Sequence, residues 1–337
     1  MTAETEKSNG QPVEAKDLIG EPQPDDDWKL EPQAHAARLD DKAIALRRVL
    51  DDEAIKEIMR RYDRHDKSAG GHQTMYKRYG RWEIYLGTAA AILGAIVLLM
   101  TDSMNLTPTY NSLRIALLII QIVCTAGLVG MKYFLQHRKL FGKWQEERSE
   151  AETARVELFE IACGLSDRKW NDAEKAEDFP LLPLQLEYFV RYQLMVQIAF
   201  YSKRGAEHEA AANRYVSFGA IVTFVAALAA AVVGFSQDLG DAVSIASMAA
   251  LVAPILLTAQ TNLSRLNQDE RNAARYAITH DHLDRLRGKL SDARKSAASG
   301  LVEPVHAFIR SANEVISVEH SQWLVQQSET SAVGNSD

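Results

Sequence analysis

Four stretches without a single charged residue interrupt an otherwise charge-dense chain: Ile84 to Met100, Ile115 to Met131, Val216 to Phe235 and Ala242 to Ala259. A helix needs about 20 apolar residues to cross roughly 30 Å of hydrocarbon, with shorter cases from about 17. Continuous apolar runs of this length are too long for core strands and too uniform for amphipathic surface helices. Hydrocarbon also obliges the backbone to satisfy its own hydrogen bonds, which makes each stretch a helix. Pro254 falls inside the fourth and is expected to bend it by removing one bond of the helical ladder. The pattern predicts an all-α membrane protein, with four transmembrane helices as two parallel-repeat hairpins and long cytoplasmic helical extensions.

Between the apolar blocks the period changes to that of half-covered helices. Leu140, Trp144, Ala151, Ala154, Leu158 and Ile161 step by three, four or seven, so the second span should run on into a cytoplasmic helix that ends at Gly164. A further helix, starting near Pro183, carries Leu186, Phe189, Val196 and Phe200 into the third span, and Leu263 to Leu290 continue the fourth. A last one starts near Pro304 and carries Val305, Phe308, Ala312, Val315 and Trp323, with a frayed tail beyond. Before the first span, Leu39 to Tyr62 suggest a helix ending before Gly70-Gly71, with His65-Asp66 at its end. The expected division is residues 1–32 a disordered leader, 33–75 a cytoplasmic N-terminal helix, 76–164 the first hairpin with its exit helix, 165–182 a linker, 183–298 the second hairpin with its exit helix, and 299–337 a C-terminal helix and tail. The leader is Pro- and acid-rich and has no apolar run of the kind a cleavable secretion signal needs.

Cations set the orientation. Lys77, Arg78 and Arg81 precede the first span, and Lys132, Arg138, Lys139 and Lys143 follow the second. Lys203, Arg204 and Arg214 precede the third, and Arg265 and Arg271 follow the fourth. The two short connecting loops offer only Arg114, against Asp238 and Asp241. Both loops are therefore expected outside, with both termini in the cytoplasm. Trp82, Tyr85, Tyr133 and Tyr215 fall at the cytoplasmic boundaries, where amphipathic rings favour the headgroup layer. The sequon-like Asn105-Leu106-Thr107 in the first loop carries no weight, since such triplets are common by chance.

Composition then excludes more than it identifies. Across 337 residues the formal net charge is -7, which gives no electrostatic case for nucleic acid as a partner. A mean hydropathy of -0.20 suggests a soluble protein only because the apolar blocks and the polar remainder cancel. The two cysteines, Cys124 in a span and Cys163 in a polar segment, offer no disulfide framework. His280-Asp281-His282 cannot hold one ion on a helix, because residues two apart point about 200° from each other. The charges around Glu146, Glu147, Arg148, Glu150 and Glu152 could gate an inter-subunit contact, although exposed helix pairs are ordinarily only solvated. No phosphate-binding loop, nucleophile elbow or zinc-protease pattern is present, so neither a catalytic residue nor a metal or cofactor is expected.

The organisation recurs. Leu140 with Gln145-Glu146-Glu147-Arg148 corresponds to Leu263 with Gln268-Asp269-Glu270-Arg271, and Arg81-Trp82 to Arg214-Tyr215. A basic-aromatic entry, a tight two-span hairpin and a long exit helix with Glu-Arg pairs resembles the SLATT group of bacterial membrane domains, in tandem over roughly Tyr76 to Leu290. The resemblance is one of architecture rather than of a residue signature. It implies an inner-membrane effector of a nucleotide-signalled conflict or antiviral defence system that forms pores. No sensor domain is recognisable, so the trigger stays open.

The spans hold no Asp, Glu, Lys, Arg or His, one of which ion-coupled transporters generally need at membrane depth. Their polar residues are mild. Gln121 with Thr125, and Ser244 with Ser247, share helix faces and are the candidate pore-lining or helix-packing residues. The expected partners are the lipid bilayer, further copies of the chain in a homo-oligomer, and a cytoplasmic protein. A non-conducting membrane-anchored scaffold is the alternative.

Overall fold

The computed structural model describes residues 14–102, 108–166, 170, 173–175, 178–235 and 241–333; side chains of 101–102, 108–109, 234–235, 241–244 and 319–333 are not among those described. Among the described residues the structure is helical throughout, without strands. The helices are α1 (Ala15–Ile19), α2 (Pro32–Arg38), α3 (Ile44–Leu50), α4 (Glu53–Asp102), α5 (Pro108–Arg138), α6 (Leu140–Ala162), α7 (Leu181–Phe189), α8 (Val196–Phe235), α9 (Asp241–Asn267), α10 (Asp269–Arg287), α11 (Leu290–Ala298) and α12 (Val302–Val333). A π-helical turn, Val190–Met195, joins α7 to α8 without a break. Four helical stretches are long and apolar enough to cross a membrane, and at most 11% of each apolar window is buried within the chain.

The chain separates into two compact units that interleave along the sequence, where the expected domains were consecutive. One gathers Met1–Asp66, Arg148–Lys203 and Ala277–Asp337, and the other Lys67–Glu147 and Arg204–Tyr276. Lateral packing of helices causes the interleaving: each polar segment alone presents a stripe too narrow to form a core.

In the first, polar unit, Leu46, Leu50, Phe159, Tyr188, Phe189 and Leu283 are fully buried. The segment expected to be disordered differs from that expectation. Residues 14–32 include α1, whose Leu18 and Ile19 are buried, and the wholly shielded carboxylate of Asp27. A Pro- and acid-rich composition does not prevent ordering when a few apolar residues find a preformed surface. α7 is buried nearly all round, so its Leu186 and Phe189 belong to a broad core face rather than a narrow stripe, while Phe200 is partly exposed.

The second, span unit is built from close helix contacts. A side chain at Gly94 would meet Gln121 Nε2 at 2.9 Å, and Leu128 and Leu86 lie against Gly87 and Gly127, which fixes α4 on α5. Leu266 approaches Gly80 to bring α9 to α4, and Gln260 covers Gly219 to pair α9 with α8. Among the described residues, the buried apolar residues of the spans are alanines, Ala90, Ala229, Ala246 and Ala253. Small residues let helix backbones approach where lipid supplies no hydrophobic drive between them. α4 runs straight through Gly70-Gly71, so the expected helix end there, with His65-Asp66, is mid-helix. Conversely, the exit helices are each broken at one residue with positive φ, Lys139 at 49° and Gln268 at 55°. Lys139 precedes Gln145, whereas Gln268 is itself the break, so the two breaks do not share the register of the short sequence match.

Candidate functional site

Four threonine hydroxyls of the spans are satisfied locally. Thr88, Thr125, Thr223 and Thr258 donate to the carbonyls of Ile84, Gln121, Gly219 and Pro254 at 2.7 to 2.9 Å. Such back-bonding to the preceding turn lets a threonine face hydrocarbon without an unmet polar group. The two residues predicted to share a face differ in exposure. Gln121 is half-buried against Gly94 on α4, whereas Thr125 is exposed on α5. Ser247 is half-buried on α9, and the side chain of Ser244 lies outside the described residues. The loop positions Asn105, Leu106, Thr107 and Asp238 lie outside them as well. Trp82, Tyr85 and Tyr133 are exposed at the ends of their spans.

At one end of the span unit, polar groups fix the second hairpin. His208 Nδ1 lies 2.6 Å from Asp269 Oδ1, at the start of α10. Gln260 Nε2 donates to the Tyr215 carbonyl at 2.5 Å, and Asn267 Nδ2 to the Tyr215 hydroxyl at 3.1 Å. Burial lowers the Lys77 ammonium pKa, helped by the neighbouring Arg81 and opposed by Asp269.

The polar unit contains a second cluster with no counterpart in the sequence-derived candidates. Asp27 forms a forked pair with Arg191 on the π turn, Oδ2 to Nε at 2.8 Å and Oδ1 to Nη2 at 3.0 Å, and Arg191 Nη1 donates to the Ile19 carbonyl at 2.5 Å. The His35 ring stacks on Tyr192, centroids 3.8 Å apart, with Nδ1 3.1 Å from the Tyr188 hydroxyl and Nε2 3.1 Å from the Lys29 carbonyl. Desolvation lowers the His35 pKa to about 4, so the imidazole is neutral near pH 7. Arg155 on α6 donates through Nε to Gln193 Oε1 at 2.9 Å, and the Gln197 amide, turned with its oxygen inward, accepts from both Nη atoms. Removing one partner of a buried ion pair such as Asp27–Arg191 strands the other charge, at a cost of about 3–5 kcal/mol. The sequence held one signal for this cluster, the polar triplet Arg191-Tyr192-Gln193 between the apolar pairs Phe189-Val190 and Leu194-Met195.

Other charge motifs are structural. Arg148 pairs with Asp66 at 3.0 Å and with Glu152, and Arg61 with Glu157. Asp281, between His280 and His282, pairs with Arg285 at 2.5 Å on continuous α10.

Residues 189–323 match the family described as SMODS and SLOG-associating 2TM effector domain 1. The match begins at the last residue of α7, includes the π turn and the second hairpin, and extends into α12. No curated protein and no solved structure matches the chain. Among the described residues, four helices are fit to cross a membrane, the second pair inside the matched segment, which makes this a multi-pass α-helical membrane protein whose residues 189–323 are similar to a two-span SLATT domain.

Proposed function

We propose that the protein is a homo-oligomeric inner-membrane effector of a bacterial conflict system, whose spans form or widen a pore on activation. The observation that carries this reading is the match of the second hairpin to a two-span effector domain. The nearly unburied apolar windows of all four spans are consistent with it, since lipid or further copies must cover them. In this reading the first hairpin is a second, tandem copy of the same architecture. The basic helix ends keep both termini and the polar unit in the cytoplasm, where a protein partner delivers the trigger. The protein is not an enzyme and needs neither metal nor cofactor.

Induced expression beside a potential-sensitive dye tests conduction. Depolarisation within minutes of induction is expected, together with an oligomer in mild detergent by mass photometry. A polarised membrane with a monodisperse monomer would discard the reading. The back-bonded threonines and the packing of Gln121 on Gly94 favour a second reading, a non-conducting scaffold. That one predicts an oligomer with no dye response.

A further inference from the structure

The first hairpin carries a collar of basic residues where its two helices leave the apolar blocks. Arg78 and Arg81 on α4, and Lys132 and Arg138 on α5, are exposed, as are Lys139 at the break and Lys143 in the first turn of α6. None of the six is in an ion pair among the described residues. Exposed cations elsewhere do find carboxylates: Arg60 pairs with Glu57, Arg204 with Glu207 and Arg310 with Glu303. The local sequence explains the difference, since Glu83 is the only acid within residues 76–83 and 132–143.

Packing sets the levels of these cations. Gly94 meets Gln121, Gly87 meets Leu128, and the rings of Tyr79 and Phe134 lie 4.8 Å apart, all in one antiparallel register. That register puts Arg81 level with Tyr133 and Lys132, and Arg78 close to the level of His137 and Arg138. Ile84 and Met131 close the apolar blocks, so at a rise of about 1.5 Å per residue Lys132 and Arg81 stand within about 5 Å of the hydrocarbon edge, and Arg78 and Arg138 about 10 Å from it. The headgroup layer is about 5 to 8 Å deep on each side, and long basic side chains bend towards it. Trp82 and Tyr85, edge to face at 6.3 Å, and Tyr133, stacked on His137 at 5.5 Å, are exposed in the same layer. Lys143 stands farther out, between Phe141 and Trp144, whose rings reach Tyr76.

We propose that this collar binds the headgroups of anionic phospholipids, and that the first hairpin, rather than the second, gathers them.

Charge complementarity selects the occupant. A zwitterionic headgroup offers each cation a phosphate beside a competing ammonium, whereas phosphatidylglycerol offers net negative charge, and each basic residue near such a surface strengthens attraction about five-fold. The second hairpin is poorer in this respect. Arg214 and Arg265 are exposed beside its spans, but Glu207 and Glu209 precede the third span, and Asp269 and Glu270 follow the fourth. The collar thus belongs to the hairpin outside the matched residues 189–323. The inference needs the first two spans to cross a bilayer and does not depend on conduction.

Native mass spectrometry of the full-length protein, released from nanodiscs of equal phosphatidylcholine and phosphatidylglycerol, tests it. The parent should retain phosphatidylglycerol over phosphatidylcholine by several-fold, and glycerol phosphate in solution should not displace it. Arg78→Gln, Arg81→Gln, Lys132→Gln and Arg138→Gln together should remove the preference, whereas Arg214→Gln with Arg265→Gln should leave most of it. A preference that survives the four changes in a protein with parental helical circular dichroism overturns the proposal. Because four changes at a helix margin risk misinsertion, single variants give a second measure: Arg81→Gln should cost several-fold and Lys143→Gln little, since attraction fades with distance from the headgroups. Equal losses at Arg81 and Lys143, or displacement by glycerol phosphate, would overturn it as well. No preference in the parent would do the same and would assign the collar to an acidic protein partner.

Discussion

Gly20 and His35 show how single positions tie the N-terminal segment to the π turn. Gly20 adopts φ 83° and ψ 163°, backbone space essentially reserved for glycine, and a Cβ there would lie 2.7 Å from Arg191 Nη1. His35 contributes through its protonation state. Desolvation is the main cause of its depressed pKa; Asp27 and the Lys29 carbonyl oppose the shift, while Arg38 and Arg191 reinforce it. The fold prefers neutral imidazole, so its contribution is complete above the unfolded value near 6.5 and is lost as pH falls towards the folded value of about 4. Across that window the linkage amounts to about 3 kcal/mol. Thermal unfolding in detergent should show stability falling from pH 6.5 to 4, with a shallower fall in His35→Gln. Equal slopes in parent and variant would remove His35 as the source.

The elements divide into those visible as pattern and those made by packing. The spans were legible because hydrocarbon imposes a length and forbids charge, conditions written directly into residues such as those from Ile84 to Met100. The helix end predicted at Gly70-Gly71 failed because glycine only weakens a helix, by about 1 kcal/mol per residue, which a 50-residue helix anchored at both ends tolerates. Nothing lies within 4 Å of a Cβ built at either glycine, and both are exposed. Gly70→Ala and Gly71→Ala should therefore each raise stability by up to about 1 kcal/mol, read as a higher unfolding midpoint; a lower midpoint would mean the helix needs to flex there. The breaks at Lys139 and Gln268 carry no glycine or proline to announce them. The π turn is less visible still, since one surplus residue leaves Phe189 and Val196 seven apart, a spacing that an unbroken α-helix would share. Of the site, the sequence pointed to Gln121, Thr125, Ser244 and Ser247 by helical spacing, but spacing could not tell which side of α5 meets α4. The Asp27–Arg191 pair joins residues far apart in sequence, and only the packed unit brings them together.

At the scale of the whole molecule, the apolar surface left open by the hairpins decides between lipid and further copies as its cover. Ile122, Val123 and Val129 on α5 are 66%, 64% and 62% exposed, and Thr125 opens among them. A conduction path needs hydrogen-bonding groups, because a purely apolar constriction dewets. Thr125, with its oxygen able to accept while its hydrogen is held by the Gln121 carbonyl, is the polar group this surface offers, whereas Gln121 is committed to Gly94. The two residues therefore separate in a pore. Thr125→Val should cut the dye response several-fold while leaving oligomer size unchanged. Gln121→Leu is close in shape, keeps the packing against Gly94, and should leave stability and depolarisation nearly unchanged. Measuring dye response and mass for both variants beside the parent distinguishes the faces. If Gln121→Leu abolishes depolarisation and Thr125→Val does not, the lumen runs along the α4–α5 seam and the exposed face of α5 belongs to lipid. If neither variant changes the response, α5 does not line the path, and Ser247 on α9 becomes the next position to replace.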